Sequence, residues 1–142
     1  AGRNHSLGIR ADGTLWTWGL NGSGQLGDGT RDDRNSPVRV GDDEDWFAVS
    51  AGAGHSLAIE DDGTLWAWGE NYYGQLGDGT RENRSAPVKI ASDEGWIAVS
   101  THADHSIGIK WGRTCWTWGA NWDGQLGDGT ETDAAVPVKI DF

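Results

Sequence analysis

Residues 55–80 read HSLAIEDDGTLWAWGENYYGQLGDGT, and this stretch decides the fold. HSLAI (55–59) and TLWAWG (64–69) read as two short β-strands. Trp66 and Trp68 share one face of their strand, while Leu65 and Ala67 share the other. Both faces are apolar, as a sheet held between two neighbours requires. Asp61-Asp62-Gly63 joins the strands as a hairpin signal, with Asp-Gly suited to positive φ at both turn positions. Residues 70–86 are rich in Gly, Asn, Asp and Arg and read as a long loop. Beyond them PVKI (87–90) and WIAVS with Thr101 (96–101) are two further strands. Pro87 is expected to open its strand, where a missing N–H is tolerated. No stretch shows a sustained helical period.

The same stretch recurs on both sides. His5, His55 and His105 are 50 residues apart, as are Trp16, Trp66 and Trp116, and Trp18, Trp68 and Trp118. GQLGDGT starts at Gly24, Gly74 and Gly124, and Pro37, Pro87 and Pro137 are each followed by Val. Four short strands in a 50-residue period predict an all-β chain of β-propeller blades, each a four-stranded antiparallel sheet. The repeats run 1–50, 51–100 and 101–142. Ala1-Gly2 match Ala51-Gly52, which follow the strand WFAVS, so repeat 1 lacks its preceding strand. Repeat 3 stops after PVKI and lacks its last strand. The expectation is an incomplete ring, closed by other chains or forming part of a longer array. Its first expected partner is therefore itself, as a homo-oligomer or filament built through open sheet edges.

Composition narrows the partners. There are 22 acidic and 11 basic residues, a net charge of -11, which opposes binding to nucleic acid phosphates and anionic lipid. No apolar run approaches the ~20 residues of a membrane span. The opening AGRNHSLGIR is not a signal peptide, and the acidic balance suits an extracellular or cell-surface protein. Ten Trp and 23 Gly, with no Met, fit strands packed through aromatic rings and joined by tight turns. The single Cys115 allows no intrachain disulfide and supplies no structural zinc site.

The pattern AGxxHSLxI, DGTLWxWGxNxxGQLGDGT, PV and WxAVS resembles the regulator of chromosome condensation repeat over nearly the whole chain. It looks most like the bacterial version, which occurs in long, near-identical arrays. The resemblance implies a propeller, usually of seven blades and often closed by a blade built from both termini. The family's founding member is a nuclear exchange factor for the small GTPase Ran and binds chromatin. Other relatives inhibit β-lactamases or act as interaction scaffolds. The acidic charge opposes chromatin binding, and no inserted segment offers an exchange wedge. The resemblance therefore implies a fold and leaves function open.

His5, His55 and His105 could be metal ligands or bases, but recurrence in every repeat favours a packing role. His102, three residues before His105, makes a weak metal pair with it. Asp28, Asp78 and Asp128 lie in oxygen-rich, Gly-rich loops and are weak calcium candidates, without the alternating acids of an EF-hand. Gln25, Gln75 and Gln125 are expected to tie those loops to backbone groups. Ser6, Ser56 and Ser106 adjoin the histidines, but neighbours in a strand point to opposite faces, which disfavours a Ser–His dyad. Cys115 replaces Leu15 and Leu65 and reads as a small hydrophobe. No catalytic constellation is found, so no enzyme activity and no cofactor are expected. The positions that vary are more informative. Gly22-Ser23 become Tyr72-Tyr73 and Trp122-Asp123, and Asp61-Asp62-Gly63 becomes Trp111-Gly112-Arg113. Tyr72, Tyr73, Trp111 and Trp122 are either binding anchors, for a protein or a glycan, or packing residues against the next blade.

Overall fold

The computed structural model describes residues 1–90 and 94–142, and among these there is no helix. The strands are β1 (His5–Ile9), β2 (Leu15–Gly19), β3 (Arg34–Arg39), β4 (Trp46–Ala51), β5 (His55–Glu60) and β6 (Leu65–Gly69). They continue with β7 (Arg84–Lys89), β8 (Trp96–His102), β9 (His105–Lys110), β10 (Thr114–Gly119) and β11 (Ala134–Ile140). They form three antiparallel sheets in the orders β1-β2-β3, β4-β5-β6-β7 and β8-β9-β10-β11. The expected blades are present and the ring is unclosed.

The sheets cut across the sequence repeats. Trp46–Ala51 ends the first repeat in sequence but pairs with β5, so it opens the second sheet. Trp96–His102 likewise opens the third, which thereby has four strands. Only the first sheet lacks this strand, and β1 is left with one edge unpaired. β4 and β8 approach each other closely, with Ser50 Oγ and Thr101 Oγ1 2.8 Å apart.

Two local expectations need correction. Pro87 lies inside β7, which begins at Arg84, rather than at its start. It is tolerated because β7 is an edge strand and the pairing with β6 shifts between Ala67 and Gly69. The hairpin at Asp61-Asp62-Gly63 takes positive φ at Gly63 alone. Gly63 N donates to Glu60 O, Glu60 N donates to Thr64 O, and Asp62 accepts from Thr64 N, a three-residue loop rather than a two-residue one. In the third sheet the matching position is Arg113, held at a φ of 64° where Gly13 and Gly63 sit without penalty.

The core lies between sheets. Ala58, Trp46 and Trp68 of the second sheet pack on Leu15 and Val40 of the first. Its other face, Leu57, Ile59, Leu65 and Ala67 with Leu76 and Ile90, packs on Trp96 and Trp118 of the third. Trp46 meets Trp66 and Trp68 edge-on, with centroids 6.4 and 6.5 Å apart, and Trp96 meets Trp116 and Trp118 at 6.4 and 5.6 Å. Each such pair adds about 1 kcal/mol to area burial. The seam therefore uses one rule twice: a tryptophan face against an aliphatic face.

Candidate functional site

The recurrent polar residues converge on these seams. His5 and Ser6 face opposite ways, but His5 reaches the serine of the next sheet: His5 Nε2 lies 2.9 Å from Ser56 Oγ. Ser56 Oγ donates in turn to the carbonyl of Gln25 at 2.8 Å. The next seam repeats this with His55, Ser106 and Gln75, at 3.0 and 2.9 Å. Because each serine proton is committed to the glutamine carbonyl, the histidine is the donor, through Nε2–H. Burial lowers His5 to a pKa of about 4 and His55 to about 3, so both are neutral at pH 7. His105, the third of the series, is half-buried on the outer face of the third sheet, and burial lowers it too.

Trp68 Nε1 donates to the same Gln25 carbonyl at 2.9 Å. Its ring lies so close to Gly27 that a Cβ there would come 2.7 Å from Nε1. Gly77 stands in the same relation to Trp118, at 2.9 Å. The glutamine side chains act locally, as expected: Gln25, Gln75 and Gln125 Oε1 accept from the N–H groups of Ser23, Tyr73 and Asp123, each at 2.9 Å. Sequence reasoning missed Asn21, Asn71 and Asn121, which are fully buried. Each donates through Nδ2 to two loop carbonyls and accepts from the N–H of Leu26, Leu76 or Leu126. The invariant Asn before each GQLGDGT was the available signal.

Asp28 and Asp78 belong to the same loop framework. Asp28 Oδ1 accepts from the N–H and hydroxyl of Thr30 and from Asn21, while Oδ2 accepts from Arg34 Nε at 2.8 Å. Asp78 repeats this with Thr80, Asn71 and Arg84. Donors rather than open oxygens surround these carboxylates. In the third repeat Ala134 replaces the arginine, and Asp128 keeps Thr130 and Asn121. His102 and His105 lie with ring centroids 6.1 Å apart. Among the described residues the one cluster of three potential metal-ligating side chains is Asp43, Asp45 and Glu60, elsewhere on the molecule.

The seam rule leaves two faces uncovered. On the first sheet Trp16 and Trp18 are half-buried and line an apolar groove with Gly8, Ile9 and Pro37, whereas Trp68 and Trp118 are fully buried. On the third sheet Ile107 and Ile109 are 37% and 38% exposed, whereas Leu57 and Ile59 at the same positions are fully buried. Cys115 lies on this second face, half-buried. The four variable aromatics separate. Tyr72, Tyr73 and Trp122 follow β6 and β10 at one end of the sheets, and Trp111 occupies a hairpin at the opposite end, 76% exposed.

The chain matches the model of the regulator of chromosome condensation (RCC1) repeat at residues 12–59, 62–109 and 114–142, and a second RCC1 repeat model at 48–75. It belongs to the RCC1 repeat family. Human WBSCR16, a solved structure, is 26% identical with a TM-score of 0.88, covering 99% of this chain and 36% of its own. Prp20p from Saccharomyces cerevisiae, described with its binding to Gsp1p and histones, is 26% identical with a TM-score of 0.87, over 100% of this chain and 37% of its own. A yeast RCC1 (Prp20) structure with Kap60 bound is 24% identical, with a TM-score of 0.89. The chain thus spans about a third of the length of these RCC1 propellers. No curated protein matches it. Its seams are propeller blade seams, and its uncovered faces are RCC1 blade faces.

Proposed function

We propose that this RCC1 chain is a non-catalytic protein-interaction scaffold whose two uncovered faces take further blades of the same kind, from a second copy or from continuing repeats. The observation that carries this reading is the complementarity of the faces. Trp16, Trp18, Gly8 and Ser6 match the tryptophan side of the two seams, and His105, Ile107, Ile109 and Cys115 match the aliphatic side. Joining one to the other repeats a packing the molecule already makes twice. Such an arrangement is heterologous, so it extends head to tail until a ring closes or a filament grows. The unpaired edge of β1 has room for a strand like Trp46–Ala51, which would place a third tryptophan beside Trp16 and Trp18. Protein partners are also what the solved Prp20 structures carry in their descriptions.

A glycan-binding reading draws support from the exposure of Tyr72 and Trp122. It has less in its favour, because Tyr73 and Trp122 meet edge-to-face rather than as a flat stacking platform. Sedimentation velocity over rising concentration tests the scaffold reading. The mass should increase from one chain to multiples of it. A single-chain mass throughout, with a cooperative fold, would refute self-association.

A further inference from the structure

One end of the second seam differs from the first in a coordinated way. Tyr73 of the second sheet and Trp122 of the third meet edge-to-face with centroids 4.6 Å apart. Tyr72 is 61% exposed beside them in sequence, and Trp122 is 52% exposed. Arg81 fastens the two loops, donating to the Tyr72 carbonyl at 3.0 Å and to Asp133 at 3.3 Å. At the first seam the corresponding residues are Ser23 of the first sheet and Tyr72 of the second, and with serine in place of Tyr73 no aromatic pair forms between the loops.

Acidic residues change at the same end. Glu70 stands where the first repeat has Leu20, and Asp104 stands where the others have Asn4 and Gly54. Glu70 follows β6, and the Asp104 carbonyl accepts from Ala120 N at 2.9 Å, two residues before Trp122. Burial raises the Glu70 carboxyl above its ordinary value, and the Asp104 charge raises it further. Asp123 is exposed next to Trp122.

We propose that this aromatic and acidic end of the second seam is a docking surface for a lysine- or arginine-bearing segment of a protein partner. A cation placed over the open face of Trp122 gains from the ring quadrupole, and the nearby carboxylates supply the opposite charge. The net charge of -11 assists the encounter, while the ring and the Glu70–Asp104 pair fix the place. The proposal deepens the scaffold reading by naming a partner chemistry at a surface separate from the two uncovered blade faces.

The test is fluorescence anisotropy of the full chain with a labelled alternating Lys–Ser peptide, at dilutions where the chain's mass has been measured. Trp122→Ala should weaken binding about tenfold, and so should Glu70→Gln with Asp104→Asn. Asp42→Asn with Asp43→Asn removes the same charge at the opposite end and should change binding less than twofold. Circular dichroism confirms that each variant is folded. Equal weakening by both acidic pairs would overturn the proposal and leave only general attraction to a polyanion. So would unchanged binding in Trp122→Ala, or a glycan array giving Trp122-dependent hits with no peptide binding. Association through the blade faces is read separately by sedimentation, so either idea can fail alone.

Discussion

Gly77→Ala is expected to destabilise the chain by roughly 1–3 kcal/mol more than Gly127→Ala does, although the two glycines have nearly the same backbone. Their φ values are 81° and 72°, so alanine meets a similar left-handed strain of about 1–2 kcal/mol at both. The surroundings differ. A Cβ at Gly77 would come 2.9 Å from Trp118 Nε1, 3.0 Å from its Cδ1 and 3.4 Å from Ile90 Cγ2, whereas at Gly127 nothing lies within 4 Å. The extra cost at Gly77 is overpacking of a closed seam, roughly 1–3 kcal/mol. Urea unfolding of the two variants at low concentration reads the difference directly. Equal losses would mean that the tryptophan does not sit against the glycine as described.

Acid should open the seams before it disturbs the loops. His5 and His55 are neutral in the fold, with values near 4 and 3, and each takes up a proton near pH 6.5 when unfolded. Below pH 6.5 the unfolded chain therefore binds more protons, and stability falls with pH. The slope is about 1.4 kcal/mol per pH unit for each histidine, or on the order of 2 kcal/mol each by pH 5. At Asp28 and Asp78 burial pushes the carboxyl up, but Thr30 and Arg34, or Thr80 and Arg84, outweigh it and hold it low. Their contribution is lost only as pH falls from about 4 downwards, below the pH 7 to 5 range in which the histidines already act. Urea midpoints between pH 7 and pH 5 should drop steeply in the parent chain, with about half the slope in His55→Gln. A flat profile, or the same slope in the variant, would contradict the neutral His–Ser–Gln chain.

How much of this was legible in the sequence varies by residue. HSLAI and TLWAWG announced their strands because both faces of each carry apolar side chains in the strand period. The unpaired start was legible because Ala1-Gly2 fall where Ala51-Gly52 follow a strand. The early start of β7 was hidden, since RSAP contains polar residues and a proline that only an edge strand and a shifted pairing accommodate. The histidine partner was hidden for a different reason. His55 and Ser56 point apart, and the serine that serves His55 belongs to the next repeat, a relation visible only when sheets are stacked. Trp111 was legible as an exposed turn tip, since it replaces Asp61 of the hairpin, but its separation from Tyr72, Tyr73 and Trp122, at the far end of the antiparallel sheets, was not.

The central claim is that one seam rule, used twice within the chain, is also available at both of its uncovered faces. Trp18→Arg spoils the tryptophan face of the first sheet and leaves the aliphatic face of the third intact, while Ile109→Arg does the reverse. Sedimentation of each variant alone should show single chains, and an equimolar mixture should form a heterodimer and nothing larger. Single chains in the mixture, or variants that associate as the parent does, would contradict the account.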